Sequence, residues 1–231
     1  PLTHTCALFL AAVATIALLN TPEPAVTAAP QAPAAHVDVM LERANPFDAL
    51  LSRDGRRLDE LPPGSRVGTS SLRRQCQLKA WRPDLSVADL RGNVNTRIRK
   101  LQDGEYAAIV LACAGLERLG LGGLITEVLA PPRWLPAATQ GTIGVQRRAD
   151  DASAASLVAV LGDADAMLRT RAERAVSAAL HGSCQVPLAV YAELLDGAFR
   201  ISGLVGMPDG SRVLHAVAEG PAGDVDRLAA S

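Results

Sequence analysis

The sequence predicts an α/β chain, with a parallel sheet flanked by helices and then a small α+β domain built on an antiparallel sheet. Three observations lead there. Short strand and helix patterns alternate as β-α-β-α-β-α between residues 61 and 120. The run Tyr106–Ala112 (YAAIVLA) has the continuous hydrophobicity of a strand covered on both faces. From about residue 163 a long amphipathic helix gives way to three strand patterns joined by hairpin dipeptides.

Each element has a local cause. His36–Leu41 alternates apolar and polar residues, a strand signal. Leu61-Pro62-Pro63-Gly64 turns the chain into a short strand at Arg66–Thr69. Ser70 or Ser71 then caps a helix that runs to about Trp81 and is stopped by Pro83. Leu85–Leu90 is a strand, and Asn93 caps a helix to about Gln102, closed by the Asp103-Gly104 turn. After Tyr106–Ala112 a helix runs from about Ala114 to Leu119. Beyond Pro131-Pro132 the pattern resets to a strand at Thr142–Gln146 and a helix at Asp151–Leu161. The helix from Asp163 to Leu180 carries Met167, Leu168, Ala172, Val176, Ala179 and Leu180 on one side, and Gly182 ends it. Leu188–Leu195, Phe199–Val205 and Arg212–Ala218 are strands, with Asp196-Gly197 and Asp209-Gly210 as hairpin turns.

The N-terminal stretch has another texture. Cys6 to Leu19 (CALFLAAVATIALL) is an apolar run too short to span a bilayer comfortably, and no Lys or Arg precedes it as an export signal requires. A Pro- and Ala-rich stretch to Ala35 reads as a linker. Residues 1–35 thus read as an export signal, a buried helix, or sequence foreign to the domain behind them; the third is favoured, and the start at Pro1 points to a fragment or a processed product.

Composition narrows the function. Apolar residues make up 48% and charged residues 20%, enough for a packed core. A net charge of −1 and an aromatic content of 3% argue against nucleic acid as partner. The four cysteines, Cys6, Cys76, Cys113 and Cys184, lie far apart, which fits a reducing compartment and neither a disulfide framework nor a zinc site. Among 23 cations only Lys79 and Lys100 are lysines, so Arg dominates. Coding bias would explain this, but the planar guanidinium fork also suits carboxylates and phosphates.

Those arginines cluster. Gly68-Thr69-Ser70-Ser71-Leu72-Arg73-Arg74 is a strand-to-helix junction with hydroxyls, guanidiniums and helix N–H groups. Arg91-Gly92-Asn93-Val94-Asn95-Thr96-Arg97 is a second, and Arg118 lies at the end of the third helix. A capped surface helix with solvated arginines is the plainer reading of either segment alone. Arg73, Arg74, Arg91 and Arg97 nevertheless all fall at the carboxyl edge of the predicted sheet, where such folds bind ligands, so a ligand with several carboxylates or phosphates is expected. Cys184, in the loop His181-Gly182-Ser183-Cys184-Gln185-Val186-Pro187, reads either as an accessible, reactive thiol or as the small buried hydrophobe that a lone cysteine more often is, whereas Cys76 and Cys113 read as small buried hydrophobes.

With these motifs the chain resembles the porphobilinogen deaminase (hydroxymethylbilane synthase) family. The resemblance rests on VGTSSLRRQCQL (67–78), DLRGNVNTRIRKLQDGEYAAIVLACAGLERLGL (89–121) and ERAVSAALHGSCQVPLAVYAEL (173–194), with a weaker match at QGTIGVQRR (140–148). It implies a cytoplasmic, monomeric transferase of tetrapyrrole biosynthesis, with neither membrane nor nucleic-acid partner and no metal. Such an enzyme condenses four porphobilinogen molecules, releasing ammonia, on a dipyrromethane cofactor. It also implies that Cys184 carries this cofactor as a thioether, that Ser71, Arg73, Arg74 and Arg97 hold the cofactor's acetate and propionate arms, and that Arg91, Arg97 and Arg118 take up the carboxylates of substrate and growing polypyrrole.

The implied fold is periplasmic-binding-protein-like and doubly wound, with a small cofactor-attachment domain. Residues 36–46 and 136–162 are expected to be a remnant of the first domain and hinge, 47–135 the second, carboxylate-binding domain, and 163–231 the C-terminal domain, cut short before its final helix. Nothing in residues 1–35 matches the family's H-S-x-K-D-x-P-like segment, so no catalytic Asp can be named and low turnover by this chain is expected. An incomplete first domain should also leave apolar surface exposed over residues 142–161. Two competing expectations are an exported binding protein for small carboxylates and a non-functional truncated product.

Overall fold

The computed structural model describes residues 35–183, 186–196 and 198–230. The apolar run with Cys6, the Pro- and Ala-rich stretch up to residue 34, and Cys184 with Gln185 lie outside the described residues.

Three sheets form among the described residues. The largest has the order β4-β3-β5-β2-β6. Its strands are β2 (Asp48–Ser52), β3 (Arg66–Gly68), β4 (Ser86–Ala88), β5 (Ala108–Ala112) and β6 (Glu127–Leu129). Three helices connect them: α1 (Leu72–Trp81) after β3, α2 (Val94–Gln102) after β4, and α3 (Cys113–Arg118) after β5. Ser71 caps α1, and the next residues are free of β-branching until Pro83 prevents continuation. Asn93 caps α2 by accepting from the Thr96 N–H at 2.9 Å. The two serines at the first junction have divided roles. Ser71 caps, while the Ser70 hydroxyl both donates to the Leu90 carbonyl and accepts from the Leu90 N–H, each at 3.0 Å, tying the ends of β3 and β4 together.

Both faces of this sheet are covered. Leu50, Val67, Leu78, Val110 and Trp134 form a core on the α1 side. Leu51, Ile98, Leu101, Ile109, Leu111 and Leu116 form the core under α2 and α3. Such alternation along β2 and β5 is what a strand buried on both faces requires.

One expectation is corrected. The sheet is not wholly parallel: β3 runs parallel to β4 and β5, but β2 is antiparallel to both β5 and β6. The segment before β2 delivers the chain at the rim where β3, β4 and β5 end, so β2 can only enter in the opposite direction. Neither β2 nor β6 stands out in the sequence, being five and three residues long.

The second sheet pairs β1 (Ala35–Met40) with β7 (Gly144–Arg148) antiparallel, flanked by α4 (Ala152–Ala159). No side chain of α4 is buried, and Leu157 and Val160 stand 73% and 85% exposed, in keeping with the apolar surface expected there. The third sheet is an antiparallel meander of β8 (Leu188–Leu195), β9 (Ala198–Gly206) and β10 (Val213–Pro221), packed against α5 (Ala164–Ala179). A short closing helix, α6 (Val225–Ala230), follows β10 and sets Leu228 into the same core; the sequence reading assigned no helix there. Its few apolar residues are too short a run to show helical periodicity.

Candidate functional site: a guanidinium-lined rim

The carboxyl ends of β3, β4 and β5 share one rim, and each leads straight into a helix. Because β2 is antiparallel, its first residue, Asp48, arrives at that same rim, opposite Ala112 at the end of β5 and Leu129 at the end of β6. The chain leaves β3 for α1 on one face and leaves β5 for α3 on the other, so a crevice opens between these adjacent strands.

Asp48 is the centre of the rim. Its Oδ2 accepts from Arg73 Nη1 at 2.7 Å and from Trp134 Nε1 at 2.6 Å. Its Oδ1 accepts from Arg74 Nε at 3.0 Å, Arg74 Nη2 at 2.6 Å and Gln140 Nε2 at 3.0 Å. The residue is fully buried. Burial works against its charge, but the charges and hydrogen bonds of Arg73 and Arg74 outweigh it and hold the carboxyl far below the usual carboxylate range. Burial depresses Arg73 from its ordinary value, against the pull of Asp48, yet a guanidinium titrates so high that it stays charged.

The arginines named from the sequence are placed unequally. Arg73 is 5% exposed, and both Nη1 protons are engaged, by Asp48 and by the Leu135 carbonyl at 2.8 Å. Arg74 spends three of its five N–H groups, two on Asp48 and one on the Val110 carbonyl at 3.1 Å. Arg97 lies part-buried on α2, its Nε donating to the Gly92 carbonyl at 2.8 Å. Arg91 is open to solvent, in a loose 3.7 Å pair with Asp89. Arg118, in the last turn of α3, is exposed and has no ion-pair partner among the described residues. Ser71, Arg73 and Arg74 come together at the Asp48 crevice; Arg91 and Arg97 occupy the neighbouring β4–α2 junction.

Asp48, Trp134 and Gln140 went unread in the sequence. One signal was there: an aspartate inside the apolar stretch Phe47-Asp48-Ala49-Leu50-Leu51, since a carboxylate in a buried strand demands cationic partners. The Cys184 loop is described up to Ser183 and again from Val186, whose N–H donates to the Ser183 carbonyl at 3.1 Å. Cys76 and Cys113 are buried as expected, and burial raises their thiols to about 12 and about 11.

The family model for the porphobilinogen deaminase "dipyromethane cofactor binding domain" matches residues 27–156, and that for the porphobilinogen deaminase C-terminal domain matches residues 167–228. The chain belongs to the porphobilinogen deaminase family. A porphobilinogen deaminase from Xanthomonas axonopodis pv. citri is 52% identical over 189 residues, 82% of this chain and 62% of that one. One from Chromobacterium violaceum is 54% identical over 187 residues, 81% of this chain and 60% of the relative. The chain thus spans about three fifths of the length of these deaminases. A periplasmic binding protein of Salmonella typhimurium, described for its arginine specificity, aligns at a TM-score of 0.33 and 13% identity over 50% of this chain and 52% of its own, a likeness too slight to carry an argument. The rim described above falls wholly within the part matched by the deaminase cofactor-binding model. No helix of the described residues is long and apolar enough to cross a membrane.

Proposed function

We propose that the chain serves hydroxymethylbilane synthesis: it binds the carboxylate arms of a dipyrromethane cofactor, carried on Cys184, and of porphobilinogen and its growing polypyrrole. The observation that carries this reading is the clustering of guanidinium groups and helix N-termini on one sheet rim. The fit is chemical. Among the described residues, Arg74 keeps two N–H groups without a protein acceptor and Arg91 is held only by the 3.7 Å pair, and α1 and α2 begin at the rim. Each pyrrole unit carries two carboxylates, so a tethered chain of pyrroles needs several such fixed cations.

In this reading Ser71 and Arg74 grip the nearer cofactor arms, with Arg73 charging the floor of the crevice. Arg97 serves both cofactor and substrate, and Arg91 and Arg118 draw in substrate carboxylates. When bound, the cofactor supplies the free pyrrole α-carbon on which the chain grows. The chain's own residues neutralise and orient carboxylates, and the closed packing of Trp134 and Leu135 keeps water from the crevice floor. The proposal for this chain is therefore attachment of the cofactor and binding of carboxylates. We further read it as a monomer in a reducing, cytoplasmic setting.

The test is intact-mass analysis of the purified chain after incubation with porphobilinogen. The reading expects an adduct of two pyrrole units, absent from Cys184→Ala. A persistently unmodified chain, or an adduct that survives this substitution, would overturn it.

A further inference from the structure

Arg73 and Arg74 are adjacent in sequence, carry like charges, and are brought to one crevice. Left alone, they would repel and scatter over their many rotamers. What holds them is a single carboxylate. Arg74 meets Asp48 Oδ1 edge-on, through Nε at 3.0 Å and Nη2 at 2.6 Å, while its Nη1 is pinned on the Val110 carbonyl. Three contacts on two sides fix the plane of the guanidinium, and one N–H of Nη1 and one of Nη2 are left over as donors for a carboxylate. Asp48 cannot turn away, because Trp134 Nε1, Gln140 Nε2 and Arg73 Nη1 hold its two oxygens from other directions. The Arg74 side chain is only 11% exposed, so what solvent or a ligand can reach is a small part of it.

We propose that Asp48 is a positioning residue of the carboxylate site: it presents the remaining N–H groups of Arg74 to the ligand in one fixed orientation, and this outweighs the repulsion its negative charge exerts on an acidic ligand. This deepens the proposed function and rests on that reading. It makes a prediction opposite in sign to simple charge counting. Removing the negative charge makes the rim more positive, so electrostatics alone would tighten the binding of an anion. If orientation governs, removal weakens it, because the guanidinium then has to be ordered at the moment of binding.

The experiment is calorimetric titration with a pyrrole that bears one acetate and one propionate arm and no aminomethyl group. The unmodified chain and Asp48→Asn are compared at equal folded fraction, followed by circular dichroism. Asp48→Asn is expected to bind roughly ten-fold or more weakly, the scale of one lost charge-assisted hydrogen bond. Equal or tighter binding overturns the proposal and leaves Asp48 with a structural role only. Should Asp48→Asn fail to fold, Trp134→Phe removes one anchor of Asp48 without changing the charge of the rim. A drop of about two- to five-fold is then expected from a bond to a charged group only partly lost, and unchanged affinity overturns the proposal. If the unmodified chain itself shows no saturable binding, the carboxylate-site reading falls and the role of Asp48 with it. If it binds and both variants bind equally well, only the role of Asp48 falls.

Discussion

At the scale of single residues, the interior separates reactive from inert groups by burial. Cys76 and Cys113 sit among apolar side chains, which disfavour the thiolate, the form that attacks electrophiles. Iodoacetamide at about pH 8, close to the free-thiol pKa, should therefore leave both unmodified in the folded chain and label both after denaturation. Peptide mapping that finds either one labelled in the native protein would contradict this packing. Asp48 gives a second prediction, with a definite sign. Its folded-state value lies well below the ordinary 3.8, so its contribution to stability is complete above that value and is lost as pH falls through the folded one. Urea midpoints should drop on acidification below about pH 4, and Asp48→Asn should lack this part of the slope while being less stable at neutral pH by about 3–5 kcal/mol, the cost of leaving buried guanidiniums unpaired.

At the scale of elements, the rim depends on where three helices start. Caps decide this, and the two side-chain caps differ in quality. Asn93 accepts from the Thr96 N–H at 2.9 Å, whereas Ser71 accepts from the Arg74 N–H at 3.5 Å, the outer limit of a hydrogen bond. Asn93→Ala should cost about 1 kcal/mol and Ser71→Ala nearer 0.5, the lower end of measured caps. Chemical denaturation separates them, and the reverse order would mean that the geometry at Ser71 is tighter than its distance states. Both helices carry Arg in or beside their first turn, where a cation opposes the helix dipole. In α1 that cost is offset by Asp48, an acid brought from a distant strand rather than from the helix itself.

At the scale of the whole molecule, one ion pair joins parts far apart in sequence. Arg43, just after β1, donates to Glu173 of α5 through Nη1 at 2.7 Å and Nη2 at 3.2 Å, and Glu173 also accepts from the backbone N–H groups of Thr139 and Ala192. Both side chains are almost wholly removed from solvent. This one carboxylate thus ties the β1 region, the return segment before β7 and the C-terminal sheet together. Burial raises Glu173 from its ordinary value, and Arg43 and the two N–H groups oppose that rise. Arg43→Met should therefore cost about 3–5 kcal/mol, because it strands a buried charge. A loss below about 1 kcal/mol by urea denaturation, the scale of an exposed pair, would show that the clip contributes little to holding these parts together.

The sequence alone determined the local elements and the chemistry of the rim. Caps, prolines, hairpin dipeptides and the period of apolar residues act between near neighbours, so α1, α2, α5 and the three C-terminal strands were legible within one to three residues of their ends. The arginine-bearing junctions were legible for the same reason, since strand, glycine, cap and guanidinium follow one another along the chain. Packing between distant segments set the rest: β2 enters the sheet antiparallel, β6 closes its edge, and Asp48 thereby meets Arg73, Arg74, Trp134 and Gln140. Those partners lie 25, 26, 86 and 92 residues away. Contacts at such separations follow from how strands are ordered in a sheet, and no local pattern of side chains encodes that order.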